Sequence, residues 1–479
     1  MKPSLVNWGQ RLVLLVVLAI GARGGLQSKP LSQSMAFQNE PLPLGHLTLS
    51  APFTVMEQMT MDRIHKLAWL SEDDSLKIAR NLVKNHKTNE IFLDKEHAFY
   101  RISQQEHTTG QKPLNVVVIM LESWTARYMA SFGGPVASTP NFDSLCKKGQ
   151  VFDQFYANGS RSIIGIASVL ASIPGFTDAQ VIMGAFTQNT MTSFPQILEQ
   201  NGYQTLFLHG GFEGSLGIHD FARKLGYDKV IAKENFDNPD NKWDGLWGIW
   251  DHFQFERFKQ ELDSLQEPFH GAIFTSSSHQ PFHLPDPKFS VFDSSVPDYE
   301  WLNSLHYSDW ALGQFFEQAK SSSWFKNTVF VITADHTIWA HRGKAVENAH
   351  IPLLIYSPSE VIAPGINHTI GSQVDILPSM IDLLGLSTAH ASMGKSLFSE
   401  TSESFALFNS VIYLWITPDY ALSFVDNKLA SIYNNHTKVL QEKINFTKLP
   451  SDIQSEIRTY LGYTQTAHNT LITNSIAPW

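Results

Sequence analysis

Five short apolar runs constrain this chain more than any other feature: Asn115–Leu121 (NVVVIML), 205–208, 271–275, 328–333 and 352–356. Each has the length of a strand, and dozens of residues of helical character separate one from the next. A strand that is apolar on both faces must be covered on both, and parallel strands need long crossovers to bring the chain back to its starting edge. The pattern therefore predicts an α/β domain on a mostly parallel sheet flanked by helices. With 43% of 479 residues hydrophobic and 12% aromatic, the chain can fill a core of that size. After about residue 400 the pattern changes. Tyr420–Val425 and 429–433 flank Asp426-Asn427-Lys428, a hairpin signal, and 449–462 reads as a late helix. A small antiparallel C-terminal appendage is expected there.

The N-terminal region reads differently. Lys2 and Arg11 precede an unbroken apolar run over 12–22, and Arg23 follows it. Eleven residues of helix cover about 16 Å, short of the roughly 30 Å hydrocarbon core. Residues 1–26 are therefore expected to be a signal peptide or a membrane anchor, which sends the chain to the cell envelope. Residues 27–110 read as a linker with juxtamembrane helices. Pro30, Pro41, Pro43 and Pro52 punctuate its first part, 56–85 looks helical, and Ser71 with Asp74 forms a capping pattern. The catalytic domain is expected over 111–400 and an α+β subdomain over 401–479.

Composition excludes some functions. The balance of 35 basic against 45 acidic residues gives −10, which argues against a nucleic-acid partner. The single cysteine, Cys146, rules out an internal disulfide framework and a thiolate metal cage.

In an open α/β sheet the ligand binds beyond the carboxyl ends of the strands. Those ends here carry Glu122-Ser123, His209, the run Ser276-Ser277-Ser278-His279, and Asp335-His336. Any one of them can simply mark where burial stops. Two carboxylates and an imidazole from separate strands suit a divalent cation of the Mn²⁺ or Zn²⁺ type. A nucleophile is offered by the segment 158–165 (NGSRSIIG), where turn-forming Asn158 and Gly159 precede Ser160, Arg161 and Ser162. Ser162 falls at the first turn of an apolar helix, where free N–H groups and the helix dipole favour a phosphate. An ordinary serine N-cap fits the same position. Arg161 is either a phosphate clamp or a solvated charge.

Together these motifs resemble the lipoteichoic acid synthase and phosphoglycerol transferase family, a branch of the alkaline-phosphatase/sulfatase superfamily. The matching pieces include NVVVIMLESW (115–124), STPNFDSL (138–145), NGSRSIIGIASVLASIPG (158–175), GYQTLFLHGG (202–211), FTSSSHQPF (274–282), NTVFVITADHT (327–337) and VDILPSMIDLLG (374–385), in the family's order. The resemblance implies an alkaline-phosphatase/sulfatase-like sheet and one divalent cation held by Glu122, Ser162, Asp335 and His336, with Mn²⁺ the first choice over Mg²⁺ or Zn²⁺. It implies Ser162 as the nucleophile, where the family usually has threonine, and His279 as a contact to the substrate phosphate. The expected chemistry is attack by the Ser162 alkoxide on a phospholipid head group. A phosphoglycerol-serine intermediate then passes its group to a glycan or glycerophosphate acceptor at the membrane surface. The usual multi-helix membrane domain is missing, so a shortened member or a catalytic subunit with a membrane protein partner is expected.

Two departures stand out. The stretch 210–228 lacks the Trp and Arg that family members often use for glycerol phosphate and carries Phe212, Glu213 and His219 instead. His341 is either a further phosphate contact or a surface histidine. Other readings are a phosphodiesterase or phosphatase, a phosphoethanolamine transferase, a sulfatase and a non-catalytic binding domain. The sulfatase reading lacks its C/S-x-P-x-R motif, and one cysteine counts against the phosphoethanolamine transferase. The Trp-rich segment 243–252 is either a substrate-facing wall or core packing, the commoner role of aromatics this dense.

Overall fold

The computed structural model describes residues 5–23, 64–104, 112–176, 180–338, 345–399, 404–442, 444 and 449–478. The chain forms two compact units, Met1–Met61 and Asp62–Trp479. In the first, Leu5–Arg23 is a single helix, with Trp8 and the run Leu12 to Leu18 exposed. Among the described residues no helix is long and apolar enough to cross a membrane.

The second unit begins with residues that were expected to be helical from 56 onward. Of these, 56–63 lie outside the described residues, and the helix proper spans only Glu72–Val83, capped by Ser71 accepting from the Asp74 amide. The preceding segment stays extended because the last helix supplies its partners. Leu67 N donates to Asn469 Oδ1, and Trp69 N and Leu70 N donate to Gln465 Oε1. Side chains of a distant helix thus replace the carbonyls that a local helix would have used.

Strands β1 (Asn89–Phe92) and β2 (Arg101–Gln104) pair antiparallel. The central strand β3 (Asn115–Leu121) is buried along its whole length. It is followed by β4 (Gln150–Phe152), β5 (Phe155–Tyr156), β6 (Gln204–His209), β7 (Lys229–Ile231), β8 (Phe269–Phe274) and β9 (Thr328–Ala334). Then come β10 (Leu353–Tyr356), β11 (Gly365–Asn367), β12 (Gly371–Ser372) and β13 (Thr388–His390). Eight of these form the main sheet in the order β11-β4-β10-β9-β3-β8-β6-β7. Five neighbours, β9 through β7, run parallel as expected. The run at 352–356 does not: β10 is antiparallel to both β9 and β4. A fully buried apolar run records that it is covered on both faces and says nothing of its direction, which the connection decides. β13 joins β2, and β12 pairs with β5 beside the main sheet.

The C-terminal part is a five-stranded antiparallel sheet of β14 (Ala406–Asn409), β15 (Tyr413–Ile416), β16 (Tyr420–Val425), β17 (Lys428–Asn434) and β18 (Leu440–Gln441). Its predicted hairpin closes with Asp426 and Asn427 both at positive φ, 48° and 60°, the conformation that suits a tight two-residue turn. The helix Ser451–Ile472 then packs on the helix Glu72–Val83. The fold is the expected one, a mostly parallel sheet with helices and a small separate antiparallel sheet.

Candidate active site

β3 and β9 are in register, with Leu121 opposite Ala334, so the residues that follow them, Glu122 and Asp335, emerge side by side. Both are buried. Ser123 takes a left-handed conformation (φ 59°), unusual for a non-glycine residue. In that turn it serves both acids: its amide donates to Asp335 Oδ1 at 2.9 Å and its hydroxyl to Glu122 Oε1 at 2.6 Å. The His336 amide also donates to Asp335 Oδ1, at 2.7 Å. His336 Nδ1 donates to the Thr337 carbonyl at 2.9 Å, which leaves the lone pair on Nε2.

That lone pair faces two carboxylates. Nε2 lies 3.3 Å from Asp335 Oδ2 and 3.8 Å from Glu122 Oε1, and one ligand atom from each of the three residues lies within 4.8 Å of the other two. Asp335 Oδ2 is buried without a hydrogen-bond partner. Burial, and then the charge of Asp335, push the Glu122 carboxyl well above its ordinary range. Two adjacent buried carboxylates and an imidazole lone pair, with an orphaned oxygen among them, form a set completed by a cation. The residues present therefore fit a divalent metal of the kind that takes mixed oxygen and nitrogen ligands.

Ser162 joins this cluster. It is the first residue of the buried helix Ser162–Ala171, with Arg161 as N-cap, and its Oγ is 3.3 Å from His336 Nε2. The helix reaches so far in because Gly165 packs on the Asp335 backbone, where a Cβ would collide with the carbonyl oxygen. Two further side chains hold the approach. Gln373 donates from Nε2 to the carbonyls of Ala334 (2.8 Å) and Asp335 (2.7 Å), while its Oε1 accepts from the Asn158 amide at 2.9 Å. The Asn158 side chain in turn donates to the Leu407 carbonyl and accepts from the Val374 amide. The turn bearing Ser162 and the strand bearing Asp335 are thus tied to each other. Sequence reasoning read Asn158 only as a turn former and passed over Gln373, because their partners lie far away along the chain.

β8 contributes the next group. Asp251, also missed, is fully buried and accepts from the amides of Ser276 (3.1 Å) and Ser277 (3.0 Å) and from Ser308 Oγ (2.7 Å), which fixes the loop after β8. Burial raises its pKa. At the end of that loop, His279 donates from Nδ1 to the Gln280 carbonyl at 2.9 Å. Burial lowers its pKa, against the opposing effects of the Gln280 carbonyl and Asp335. Trp247 packs on the His279 ring with centroids 3.8 Å apart, so this tryptophan belongs to the site wall rather than to the core.

One strand further along the same edge, His209 and His219 face each other with ring centroids 5.9 Å apart. Burial holds His209 at about 3 and His219 at about 4, so both are neutral, and His209 Nε2 and His219 Nδ1 have no partner. Of the residues singled out from sequence, Glu122, Ser162, Asp335 and His336 meet, and His279 lies at the end of the loop after β8, against Trp247. Arg161 is exposed at the helix cap. His341 lies outside the described residues.

Comparison with known proteins identifies the family. A model of the Sulfatase family matches residues 114–386, more than half of the chain. Lipoteichoic acid synthase 1 of Bacillus subtilis is 27% identical over 382 residues, covering 72% of this chain and 58% of that protein. The lipoteichoic acid synthase of Staphylococcus aureus is 24% identical over 432 residues, covering 85% of this chain and 63% of that protein. The chain thus spans about six-tenths of the length of these relatives. Among solved structures, an alkaline phosphatase superfamily protein from Vibrio parahaemolyticus superposes with a TM-score of 0.74 at 25% identity, covering 86% of this chain and 98% of that one. The lipoteichoic acid synthase LtaP from Listeria monocytogenes gives 0.66 at 19% identity, covering 75% and 93%. The chain belongs to the sulfatase family, within the alkaline phosphatase superfamily, and its named relatives there are lipoteichoic acid synthases.

Proposed function

We propose that this protein is a metal-dependent phosphotransferase of the cell envelope, moving a phosphoglycerol-type group from a phospholipid to a glycan or glycerophosphate hydroxyl. The observation that carries the reading is the convergence of Ser162 Oγ with Glu122, Asp335 and His336. These four residues would hold one divalent cation, Mn²⁺ before Mg²⁺ or Zn²⁺. When bound, the cation supplies positive charge that favours the ionised serine and offsets charge on the phosphate. The absence of a C/S-x-P-x-R motif around Ser162 disfavours sulfatase chemistry.

The residues divide the work. Ser162 Oγ attacks the phosphorus, a new O–P bond forms, and the bond to the diacylglycerol oxygen breaks, with the serine proton ending on that oxygen. An acceptor hydroxyl then attacks the same phosphorus, a new O–P bond forms as the Ser162 Oγ–P bond breaks, and the acceptor's proton returns to Ser162 Oγ. The backbone N–H groups of the helix's first turn face the phosphate and stabilise its charge. His279 has its Nδ1 proton committed to Gln280, so Nε2 is the atom able to carry a proton between alcohol oxygens. Arg161 stands at the cap as a contact for the anionic head group, and His341 is proposed as a further contact to the same phosphate.

In this reading residues 1–26 are a signal peptide or anchor, 27–110 a linker with juxtamembrane helices, 111–400 the catalytic domain and 401–479 the C-terminal subdomain. A membrane protein partner is part of the same proposal. The test is Ser162→Ala, assayed with phosphatidylglycerol and with a soluble nitrophenyl phosphodiester, alongside metal analysis. Turnover is expected to fall by about three orders of magnitude or more with the cation retained. Undiminished turnover would remove Ser162 from the chemistry.

A further inference from the structure

We propose that the turn joining β14 to β15, Ser410-Val411-Ile412, is a lipid-contacting finger that seats the mouth of the active site on an anionic phospholipid bilayer. The proposal rests on the reading of Ser162 as a nucleophile for a lipid phosphodiester, and names the surface by which that lipid is met.

Val411 is 78% exposed, more than any other large apolar residue among those described, and Ile412 beside it is 38% exposed. Single exposed apolar residues are common on any protein surface. These two are adjacent at the tip of a turn, where polar residues usually sit. The hairpin between β16 and β17 turns at the same end of the same sheet and does so with Asp426 and Asn427. The apolar tip is therefore not a demand of the fold.

Its position is what gives it meaning. Asn409 N donates to the Asn158 carbonyl at 3.1 Å, Asn409 Nδ2 donates to the Gly175 carbonyl at 2.7 Å, and Asn409 bridges to Gly159. Ser410 Oγ is bonded to Ser160 Oγ at 2.9 Å, two residues from the nucleophile. The finger is fastened to the turn that carries Ser162 and cannot fold back onto a core. Exposed Arg161 sits at its base and supplies the positive charge that an anionic head group would meet, on a chain whose net charge is −10. Two other apolar residues are exposed on segments that reach the site. Leu246 is half-exposed next to Trp247, which packs on His279. Met183 is half-exposed next to Ile182, which lines a hollow shared with Ile163 and Ile164. Exposed apolar tips beside a basic residue are an arrangement by which a peripheral surface enters the head-group region.

The test uses the full chain in two arms. The only native cysteine, Cys146, is buried, so Val411→Cys gives one reactive surface thiol for an environment-sensitive fluorophore. Adding vesicles of phosphatidylcholine and phosphatidylglycerol should shift this label to the blue. The same label at Val439→Cys, exposed at the opposite end of the sheet, should not shift. In the second arm, the Val411→Ser/Ile412→Ser variant should raise the KM for phosphatidylglycerol in vesicles about tenfold. Its turnover of the soluble phosphodiester should stay within about twofold, and Val411→Leu/Ile412→Leu should restore the vesicle KM. A label at 411 that stays unshifted with vesicles overturns the proposal, whatever the activity. So does an equal effect of the double serine variant on both substrates, which would make the tip a support for the nucleophile turn. Loss of activity in Ser162→Ala is read separately, because the fluorescence arm needs no turnover.

Discussion

Glu90 and Glu122 are both buried glutamates of the same unit, and they are treated in opposite ways. Glu90 faces Arg101, a guanidinium with no exposed surface that donates to Glu90 Oε2, to the carbonyls of Phe99 and Ser392, and to those of Val83 and Gly394. Ser103 Oγ and the Asn85 amide complete the carboxylate. Burial alone would raise the Glu90 pKa, but Arg101, His390 and Asn85 outweigh it and bring it to about 2. Glu122 has a hydroxyl and another acid for neighbours, and its pKa is pushed up instead. The chain completes the charge where it serves the fold, tying β1 and β2 to the segment 392–394. At the carboxyl edge of the sheet it leaves negative charge open, which a domain tolerates only where something from outside completes it.

The sharpest way to break this comparison is to remove the cation from the closed set. Arg101→Met leaves Glu90 buried without its main partner and should lower unfolding stability by about 3–5 kcal/mol in urea titrations. Adding Glu90→Gln to Arg101→Met should recover part of that loss, because the stranded charge is gone. A single-mutant loss below about 1 kcal/mol would mean that the pair is not a structural lock.

None of this lock was legible in the sequence. Glu90 and Arg101 stand on short strands of alternating burial, and the residues that complete them, His390, Ser392 and Gly394, arrive some 290 positions later. The candidate cation cluster was legible because Glu122 and Asp335-His336 directly follow continuous apolar strands, and a polar residue at such a point projects from the sheet edge. Ser162 could be read for a related reason, since an apolar helix preceded by turn formers has only one polar end. Two features escaped. The lacing by Asn158 and Gln373 depends on amides meeting backbone 38 to 249 residues away, and an amide carries no local signature of such a role. Trp247 stays open between wall and core in the sequence because aromatic density says nothing about which face a ring covers.

Acid titration sharpens the same contrast with a smaller effect. The Glu90 pKa in the fold, about 2, lies below its ordinary 4.5, so the native state binds fewer protons. Its contribution is therefore complete above pH 4.5 and is lost as the pH falls toward 2. The shift corresponds to about 3 kcal/mol over that window. Glu90→Gln should be less stable than wild type at pH 6, and the gap should close toward pH 2. A gap that is constant with pH would assign the loss to packing rather than to ionisation.

The smallest effect is the one with reversed sign. Glu122→Gln keeps the volume and an oxygen that can accept from Ser123 Oγ, and it removes one of two adjacent buried charges. In cation-free protein at neutral pH it should therefore be stabilising, by about 1 kcal/mol, whereas the same edit at Glu90 is destabilising. Mn²⁺ reverses the order. A cation at a hundred times its dissociation constant should stabilise wild type by about 2.7 kcal/mol, while the variant, one anionic ligand short, should gain much less. Thermal unfolding of both proteins with and without Mn²⁺ gives all four values. If the variant were destabilised in chelator and still gained fully from Mn²⁺, Glu122 would be a structural acid like Glu90, and the distinction between the two regions would fail.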